Sequence, residues 1–303
     1  MSIVSVKPMR GESIINVHKK GKVLRLEEGF DASSKVDGMR ALITPHMPQT
    51  KQGYAIQNAH VRAMLAEPEF VGFDGELTAG DLFDNELCAQ TVSAVMSQDG
   101  EPDFCYWLFE DFSKPELLRP QRSVRLFERF LKLQPRFPFL RYLPQRQVFN
   151  QEQLDQAIMD LTITEGIMLA RLTAPYKFGK ATVNSQELLK HKPFEDDEAI
   201  IMAVIPGTTN RNTQTRNPLG GAKRSSAKAG LVETDLAGSF LCWNRRWGKF
   251  NPSLINLTHD ERRHALANPH LFIDKVCTFK YLPVGSIDKP RSPTYKCLKD
   301  GRT

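Results

Sequence analysis

The chain has 303 residues, enough for one large domain or two ordinary ones with a substantial core, and a hydrophobic fraction of 41% with a mean hydropathy of −0.38 fits a soluble globular protein. No apolar run approaches the roughly 18 residues that cross a bilayer, and the opening Met1-Ser2-Ile3-Val4-Ser5-Val6-Lys7 lacks the apolar segment of a secretion signal, which argues against a membrane-spanning or exported protein and for a cytoplasmic one. A net charge of +6 and a pI near 9.0 favour a polyanionic partner, nucleic acid ahead of a membrane surface, since no basic amphipathic helix stands out.

Residues 1 to 30 carry little periodicity and are expected to form a lead-in strand and loop. Ser33-Ser34-Lys35-Val36-Asp37-Gly38-Met39-Arg40 alternates like a strand running into a tight turn, which would set Lys35, Asp37 and Met39 on one face. An ammonium is a poor nucleophile at its free pKa of about 10.4, so a reactive Lys35 needs cationic neighbours, a metal or desolvation; Arg40 and later lysines could supply the charge. Read alone, the stretch is as well a solvated ion pair beside a turn glycine. Ala41 to Thr44 continues the strand, and Pro45 to Gly53 is a polar hairpin-like connection. Ala59 to Ala66 has Val61, Met64 and Leu65 at helical spacing, with His60 and Arg62 turned to solvent.

Phe70 to Leu77 reads as a buried strand carrying Asp74-Gly75-Glu76. An acid at the end of an apolar strand costs free energy unless it meets a cation or hydrogen-bond donors, and ribose hydroxyls would serve. Phe104 to Phe112 is a second apolar run, read as a central strand. From Ser123 to Leu133, Val124, Phe127 and Leu131 form one helical stripe, leaving Arg122, Arg125, Arg129 and Lys132 as a solvated face. Asn150 to Gln153 resembles a capping box opening a helix with Leu154, Ile158 and Leu161 inward. Glu165 to Arg171 is a strand with a glutamate at its mouth, followed by the loop Tyr176-Lys177-Phe178-Gly179. Leu188 to Pro193 alternates, so Lys190 and Lys192 share a face where they repel each other unless an anion sits between them; a triphosphate is such an anion.

Pro193 and the acidic cluster Glu195 to Glu198 break the pattern and mark a domain boundary. Ala199 to Val204 is a strand, and residues 206 to 230 form a polar excursion carrying Arg211, Arg216, Lys223, Arg224 and Lys228 and no acid. A structureless connection longer than about 15 residues is functional or disordered. Gly238 to Trp243 and Val276 to Tyr281 read as strands and Thr258 to Glu261 as a helix cap, which together suggest a small barrel such as an OB-fold. Cys88, Cys105, Cys242, Cys277 and Cys297 lack ligand spacing and are read as reduced thiols without structural zinc.

Taken in order, these stretches resemble the motifs of the covalent nucleotidyltransferases, the superfamily of DNA ligases, RNA ligases and mRNA-capping enzymes. Lys35-x-Asp37-Gly38-x-Arg40 is similar to the first motif, Asp74-Gly75-Glu76 to the third, the strand ending at Phe109 to the aromatic one after it, Glu165-Gly166 to the fourth and Lys190-x-Lys192 to the fifth. Within the superfamily the chain most resembles the minimal ATP-dependent DNA ligases of the Chlorella-virus and bacteriophage type. Thr91 to Met96, Tyr176 to Gly179, Ala222 to Ser225, Phe279 to Ser286 and the ending Pro290-Arg291-Ser292-Pro293-Thr294-Tyr295 all echo that group.

The resemblance implies an α+β fold, with an ATP-grasp-like nucleotidyltransferase (adenylation) domain over 1–193 and an OB-fold β-barrel over 194–303, whose basic loop at about 206–230 closes on DNA as a latch. It implies sealing of 3′-hydroxyl/5′-phosphate nicks in duplex DNA by a monomer using ATP and magnesium or manganese, with Lys35, Asp37 and Lys192 catalytic. Phe109 would stack on adenine, Glu76 would hold the ribose, Arg40 would contact ribose or the nick phosphate, Glu165 would bind the metal, and Lys190 and Lys192 would neutralise the α-phosphate. Arg291 and Lys299 would steady the departing pyrophosphate. Lys51, where the group has an arginine on the nick phosphate, keeps the charge without bidentate geometry. Lys299 and Arg302 stand in for a closing motif that departs from the usual pattern. An RNA ligase or capping guanylyltransferase on the same scaffold, or a non-catalytic DNA-binding protein with a relict nucleotide pocket, are the alternatives, because nothing in the motifs reads a 2′-hydroxyl.

Overall fold

The computed structural model describes residues 5–162 and 164–299, so Arg302 lies outside the described residues. The chain divides into two compact units, Met1–Lys192 with Asn217–Gly221, and Pro193–Arg216 with Ala222–Thr303. Among the described residues no helix is long and apolar enough to cross a membrane.

The first unit begins with β1 (Met9–Arg10), β2 (Glu12–Ser13), α1 (Ile14–Lys19), β3 (Phe30–Ser34), β4 (Met39–Ile43), β5 (Pro48–Thr50), α2 (Ala59–Leu65), β6 (Phe73–Thr78) and α3 (Leu87–Met96). It continues through β7 (Cys105–Asp111), α4 (Arg119–Leu133), β8 (Leu140–Tyr142), β9 (Arg146–Val148), α5 (Gln151–Leu161), β10 (Ile167–Arg171), β11 (Gly179–Lys180) and β12 (Leu188–His191). Two five-stranded sheets result, in the orders β2-β12-β10-β3-β9 and β5-β4-β6-β7-β8. β3 turns Phe30 and Ala32 into one apolar core with Ile167, Leu169 and Leu189. β6 and β7 send Phe73, Leu77, Tyr106 and Leu108 into a second. Each of the phenylalanine, leucine and isoleucine side chains contributes about 1.5–3 kcal/mol when fully buried.

The expected lead-in strand and loop instead contain a short helix, α1, whose Ile14 and Val17 are buried. The Lys35 stretch is also not one strand. β3 ends at Ser34 and β4 starts at Met39 in the other sheet, so Lys35 to Gly38 is the crossover between sheets. The crossover presses against β6, where a Cβ on Gly38 would overlap the Leu77 carbonyl oxygen. Gly38→Ala should therefore lower the stability of the first unit by about 2 kcal/mol, the usual cost of overpacking. A urea midpoint within error of the wild type would show that the crossover tolerates a side chain.

Helix α4 reverses the expected orientation. Arg119 and Arg122 are 4% and 1% exposed, whereas Val124, Phe127 and Leu131 are 58%, 43% and 55% exposed. The cause lies far off in sequence. Glu110 and Asp31 are buried acids that need cations, and Arg119 and Arg122 reach both from the inner face of α4.

The second unit contains β13 (Glu195–Asn210), β14 (Gln214–Arg216), β15 (Ala222–Arg224), β16 (Leu231–Asn244), β17 (Gly248–Phe250), α6 (His259–Ala267), β18 (Val276–Leu282) and β19 (Arg291–Leu298). Its antiparallel sheet runs β17-β16-β13-β18-β19 around a core that includes Ile201, Phe240, Cys242 and Phe279. The acidic run expected to break the pattern opens β13 instead, with Glu195 to Glu198 laddered to Tyr281 to Thr278 and Asp196 and Glu198 paired to Lys296 and Lys299. The expected barrel is looser than a closed one. Edge strands β17 and β19 do not ladder together; Ser253 bridges Ser239 and Thr294 singly, beside Pro252, which has no N–H to extend a ladder.

The excursion at 206–230 is not structureless either. β13 continues into it as far as Asn210, where it pairs with the start of β16, β14 and β15 pair as a small hairpin, and the amides of Asn210 and Asn212 donate to the carbonyls of Ser225 and Ala227.

Candidate active site

Register in the first sheet sets the first group of side chains. Ser34 on β3 faces Ile167 on β10, which places Lys35 beside Gly166: the Lys35 N–H donates to the Gly166 carbonyl (2.7 Å), and the Glu165 N–H and Thr164 hydroxyl donate to the Lys35 carbonyl (3.2 and 2.5 Å). Gly166 has φ +136°, and a Cβ there would overlap the His191 carbonyl oxygen, so only glycine lets β12 come this close. Met168 on β10 faces Lys190 on β12, and the ammoniums of both Lys35 and Lys192 pair with the one carboxylate of Glu165.

The second sheet supplies the opposite wall. Arg40 on β4 lies directly across from Glu76 on β6. Between β6 and β7 the register jumps from Asp74↔Glu110 to Gly75↔Leu108, leaving Phe109 as the extra residue of a bulge. A bulge re-aims its side chain. Phe109 accordingly lines the cavity together with Met168, and the Arg40 guanidinium sits 5.2 Å from its ring centre. Arg40 is already engaged: Nε and Nη2 donate to the buried Asp74 carboxylate at 2.7 and 2.5 Å, and Nη1 donates to the Met9 carbonyl at 2.8 Å. The Tyr176 hydroxyl donates to the same carboxylate (2.7 Å) and accepts from the Met9 N–H (3.0 Å).

These walls enclose a cavity of about 180 Å³. Lys35, Lys51, Lys190 and Arg10 line it, as do Glu76, Phe109 and, from the buried network, Asp31 and Arg119. Burial, and then their cationic neighbours, push the ammoniums of Lys51 and Lys190 below the ordinary lysine value. Burial also pushes Glu76 up to about 7 against the attraction of Lys35 and Arg40. Lys35 goes the other way. Burial pulls it down and Lys51 and Lys190 stand near it as cations, but Glu165, Glu76 and Asp37 outweigh both and hold it above the ordinary value. Lys35 is therefore an ammonium paired with the Glu165 carboxylate.

A hard divalent cation keeps several waters and needs only one or two carboxylates. Glu165 fits that role: it is 3% exposed and already attracts two positive charges. No group of three metal-binding side chains exists among the described residues, so phosphate oxygens and water would complete such a shell.

No protein-family model matches the chain, and neither does any curated protein. Solved structures do match along nearly its whole length. The Chlorella virus DNA ligase-adenylate is 22% identical with a TM-score of 0.53, covering 98% of this chain and 100% of that one. A Lig E DNA ligase, described as binding DNA with a minimal scaffold, is 21% identical with a TM-score of 0.70 over 98% and 100%. The chain has the fold of these DNA ligases.

On this ligase fold, the residues anticipated from the motifs divide between the two units. Lys35, Asp37, Arg40, Lys51, Glu76, Phe109, Glu165, Lys190 and Lys192 belong to the first. Arg291 and Lys299 belong to the second: the Arg291 N–H donates to the Ser286 hydroxyl (2.7 Å), and Lys299 pairs with Glu198 (2.8 Å). Arg211, Arg216, Lys223, Arg224 and Lys228 are exposed around the β14–β15 hairpin. The sequence pointed to no site role for Met168 or Arg10, and it marked Tyr176 only as part of a loop that echoes the ligase group. Met168 was findable, since it lies three residues beyond Glu165 on the strand that follows it. Arg10 had no signal, standing in a segment without periodicity.

Proposed function

We propose that this chain is an ATP-dependent DNA ligase that seals 3′-hydroxyl/5′-phosphate nicks through a lysyl-adenylate. The observation that carries the proposal is the convergence of Lys35 and Lys192 on Glu165 at a cavity walled by Phe109 and Glu76. In the first transfer the Lys35 amine, having lost its proton, attacks the α-phosphorus of ATP; a P–N bond forms, the bond to the β-phosphate oxygen breaks, and pyrophosphate leaves. In the second, an oxygen of the nick 5′-phosphate displaces Lys35 from phosphorus and makes an anhydride. In the third, the neighbouring 3′-hydroxyl attacks the 5′-phosphorus, loses its proton and expels AMP.

The side chains act mainly by position and charge. Phe109 packs against the adenine, Glu76 accepts from the ribose hydroxyls, and Lys190 and Lys192 neutralise the α-phosphate while Asp37 helps hold Lys35. Magnesium or manganese held by Glu165 would screen phosphate charge and take over the carboxylate that otherwise keeps Lys35 protonated. Arg40, committed to Asp74 and Met9, serves the site by holding β1 and β4 together and backing Phe109. Lys299 must release Glu198 before it can serve the departing pyrophosphate.

Incubation of the intact protein with ATP and magnesium should add one AMP-sized mass, which a singly nicked 5′-phosphorylated duplex then discharges. No mass gain would end the proposal. Labelled GTP in place of ATP, and nicked RNA in place of DNA, separate it from a capping enzyme or an RNA ligase.

The exposed cations of the hairpin are assigned to duplex phosphates, with the second unit as the OB-fold half of the clamp. Neutralising Lys223, Arg224 and Lys228 together should weaken binding to nicked duplex and reduce the slope of log affinity against log salt by up to about 3, because fewer counterions are released. An unchanged slope would remove the hairpin from the interface.

A further inference from the structure

Helix α4 shows solvent the side that an apolar-stripe rule would bury. Val124, Phe127 and Leu131 follow one another at i, i+3 and i+7, and all three are exposed. One exposed leucine needs no explanation, but three large apolar side chains in a single stripe do. Turning the helix would not relieve them. Its inner face is fixed by Leu126 and Leu133 in the apolar core and by Arg119 and Arg122 on the buried Glu110, so rotation would strand two guanidiniums and a carboxylate. No residue of the stripe lines the nucleotide cavity.

The stripe is also held ready for contact. The ring of Phe127 meets that of Tyr142 on β8 edge-on at 5.0 Å between centres, and Phe130 packs on the same tyrosine at 5.8 Å. An aromatic side chain already held in place loses little freedom when a partner covers it.

Charge decides what fits. Arg125, Lys132 and Arg136 follow one border of the stripe and Arg141 adjoins Tyr142, while the acids open to solvent there are Glu128 and Glu69; Asp111 beneath is buried and held by Arg129 at 3.0 Å. Four cations against two acids leave the border positive. A second copy fits poorly, because the antiparallel pairing that sets Val124 against Leu131 also brings the two Glu128 carboxylates together. A bilayer fits poorly too. Glu128 stands between Val124 and Leu131 along the helix and would have to enter the apolar layer with them.

We propose that the outer face of α4 docks a partner protein through an amphipathic helix, whose apolar side chains cover Val124, Phe127 and Leu131 and whose flanking Asp and Glu residues meet the cationic border. The site needs no nucleotide and does not rest on the ligase reading.

The probes are two synthetic helical peptides with the same leucine stripe, one flanked by glutamates and one by lysines, and their binding to the full-length chain is followed by fluorescence anisotropy. The glutamate peptide should bind saturably, and the lysine peptide at least about tenfold more weakly. Leu131→Glu should weaken the glutamate peptide by about tenfold or more, the loss expected of one central interface contact. Arg125→Ala with Lys132→Ala should weaken it and flatten its salt dependence. Leu131→Glu should also leave the urea midpoint unchanged; a fall would show that Leu131 is packed within the unit and overturn the proposal. Equal binding of the two peptides, or no saturable binding of the glutamate one, would overturn it as well. So would a wild-type dimer, or wild-type binding to anionic vesicles, that Leu131→Glu abolishes, since a second copy or a membrane would then be what covers the stripe.

Discussion

With alanine in place of Lys35, the protein gains no AMP-sized mass from ATP and magnesium, and sealing of a phosphorylated nick falls by at least about 10⁴-fold, as expected when a covalent nucleophile is removed. Charge and nucleophilicity need separating, because Lys35 is also half of an ion pair with the buried Glu165. Lys35→Arg does this. It returns a cation to Glu165, but a guanidinium does not give up its proton in a protein and offers no free amine. Both variants should therefore be inactive in adenylation, and the arginine variant should be the better folded of the two. Both should still bind nicked duplex, since the hairpin cations are untouched. If alanine at 35 leaves the mass gain intact, another amine carries the nucleotide, and Lys190 or Lys51, both held below the ordinary lysine value, would be next to test.

The legible parts of the chain are those where chemistry is local. Glu165, Lys190 and Lys192 sit on or beside short strands whose alternation can be read directly, and register then brings them to Lys35. The same holds for Arg40 and Glu76, which face each other across β4 and β6. What could not be read depends on partners remote in sequence. The inward face of α4 looks polar until Glu110 and Asp31 are known to lie beneath it, so an apolar-stripe rule points the helix outward. β13 and β16 run on through Gly, Thr and Asn because they pair with each other and because Asn210 and Asn212 bind carbonyls, neither of which leaves a hydrophobic pattern. The charge state of Lys35 was hidden for a similar reason: of the three carboxylates that hold it up, only Asp37 is near in sequence, and Glu165 and Glu76 arrive through the fold.

The buried network under α4 should be as sensitive as the site itself. Glu110 accepts from Arg119 Nη1 (2.6 Å) and from Arg122 Nε and Nη2 (3.0 and 3.1 Å), and Arg119 Nε also donates to Asp31 (3.0 Å). Burial alone would raise the Glu110 carboxyl, yet the two guanidiniums hold it below the ordinary glutamate value. Glu110→Gln keeps the shape and removes the charge, leaving two buried cations with only Asp31 for compensation. Breaking one partner out of such a cluster costs about 3–5 kcal/mol, so the first unit should lose that much stability, read as amide-exchange protection on β7 and α4 in the intact chain. A carboxyl depressed on folding stabilises above its unfolded value and ceases to do so as pH falls through its folded one. The difference between wild type and Glu110→Gln should therefore be full at neutral pH and shrink below about pH 4. Arg125→Ala is the contrast: Arg125 is 40% exposed and 3.8 Å from its acid, and should cost less than about 1 kcal/mol. Equal effects from Glu110 and Arg125 would mean that the buried arginines of α4 are not what orients the helix.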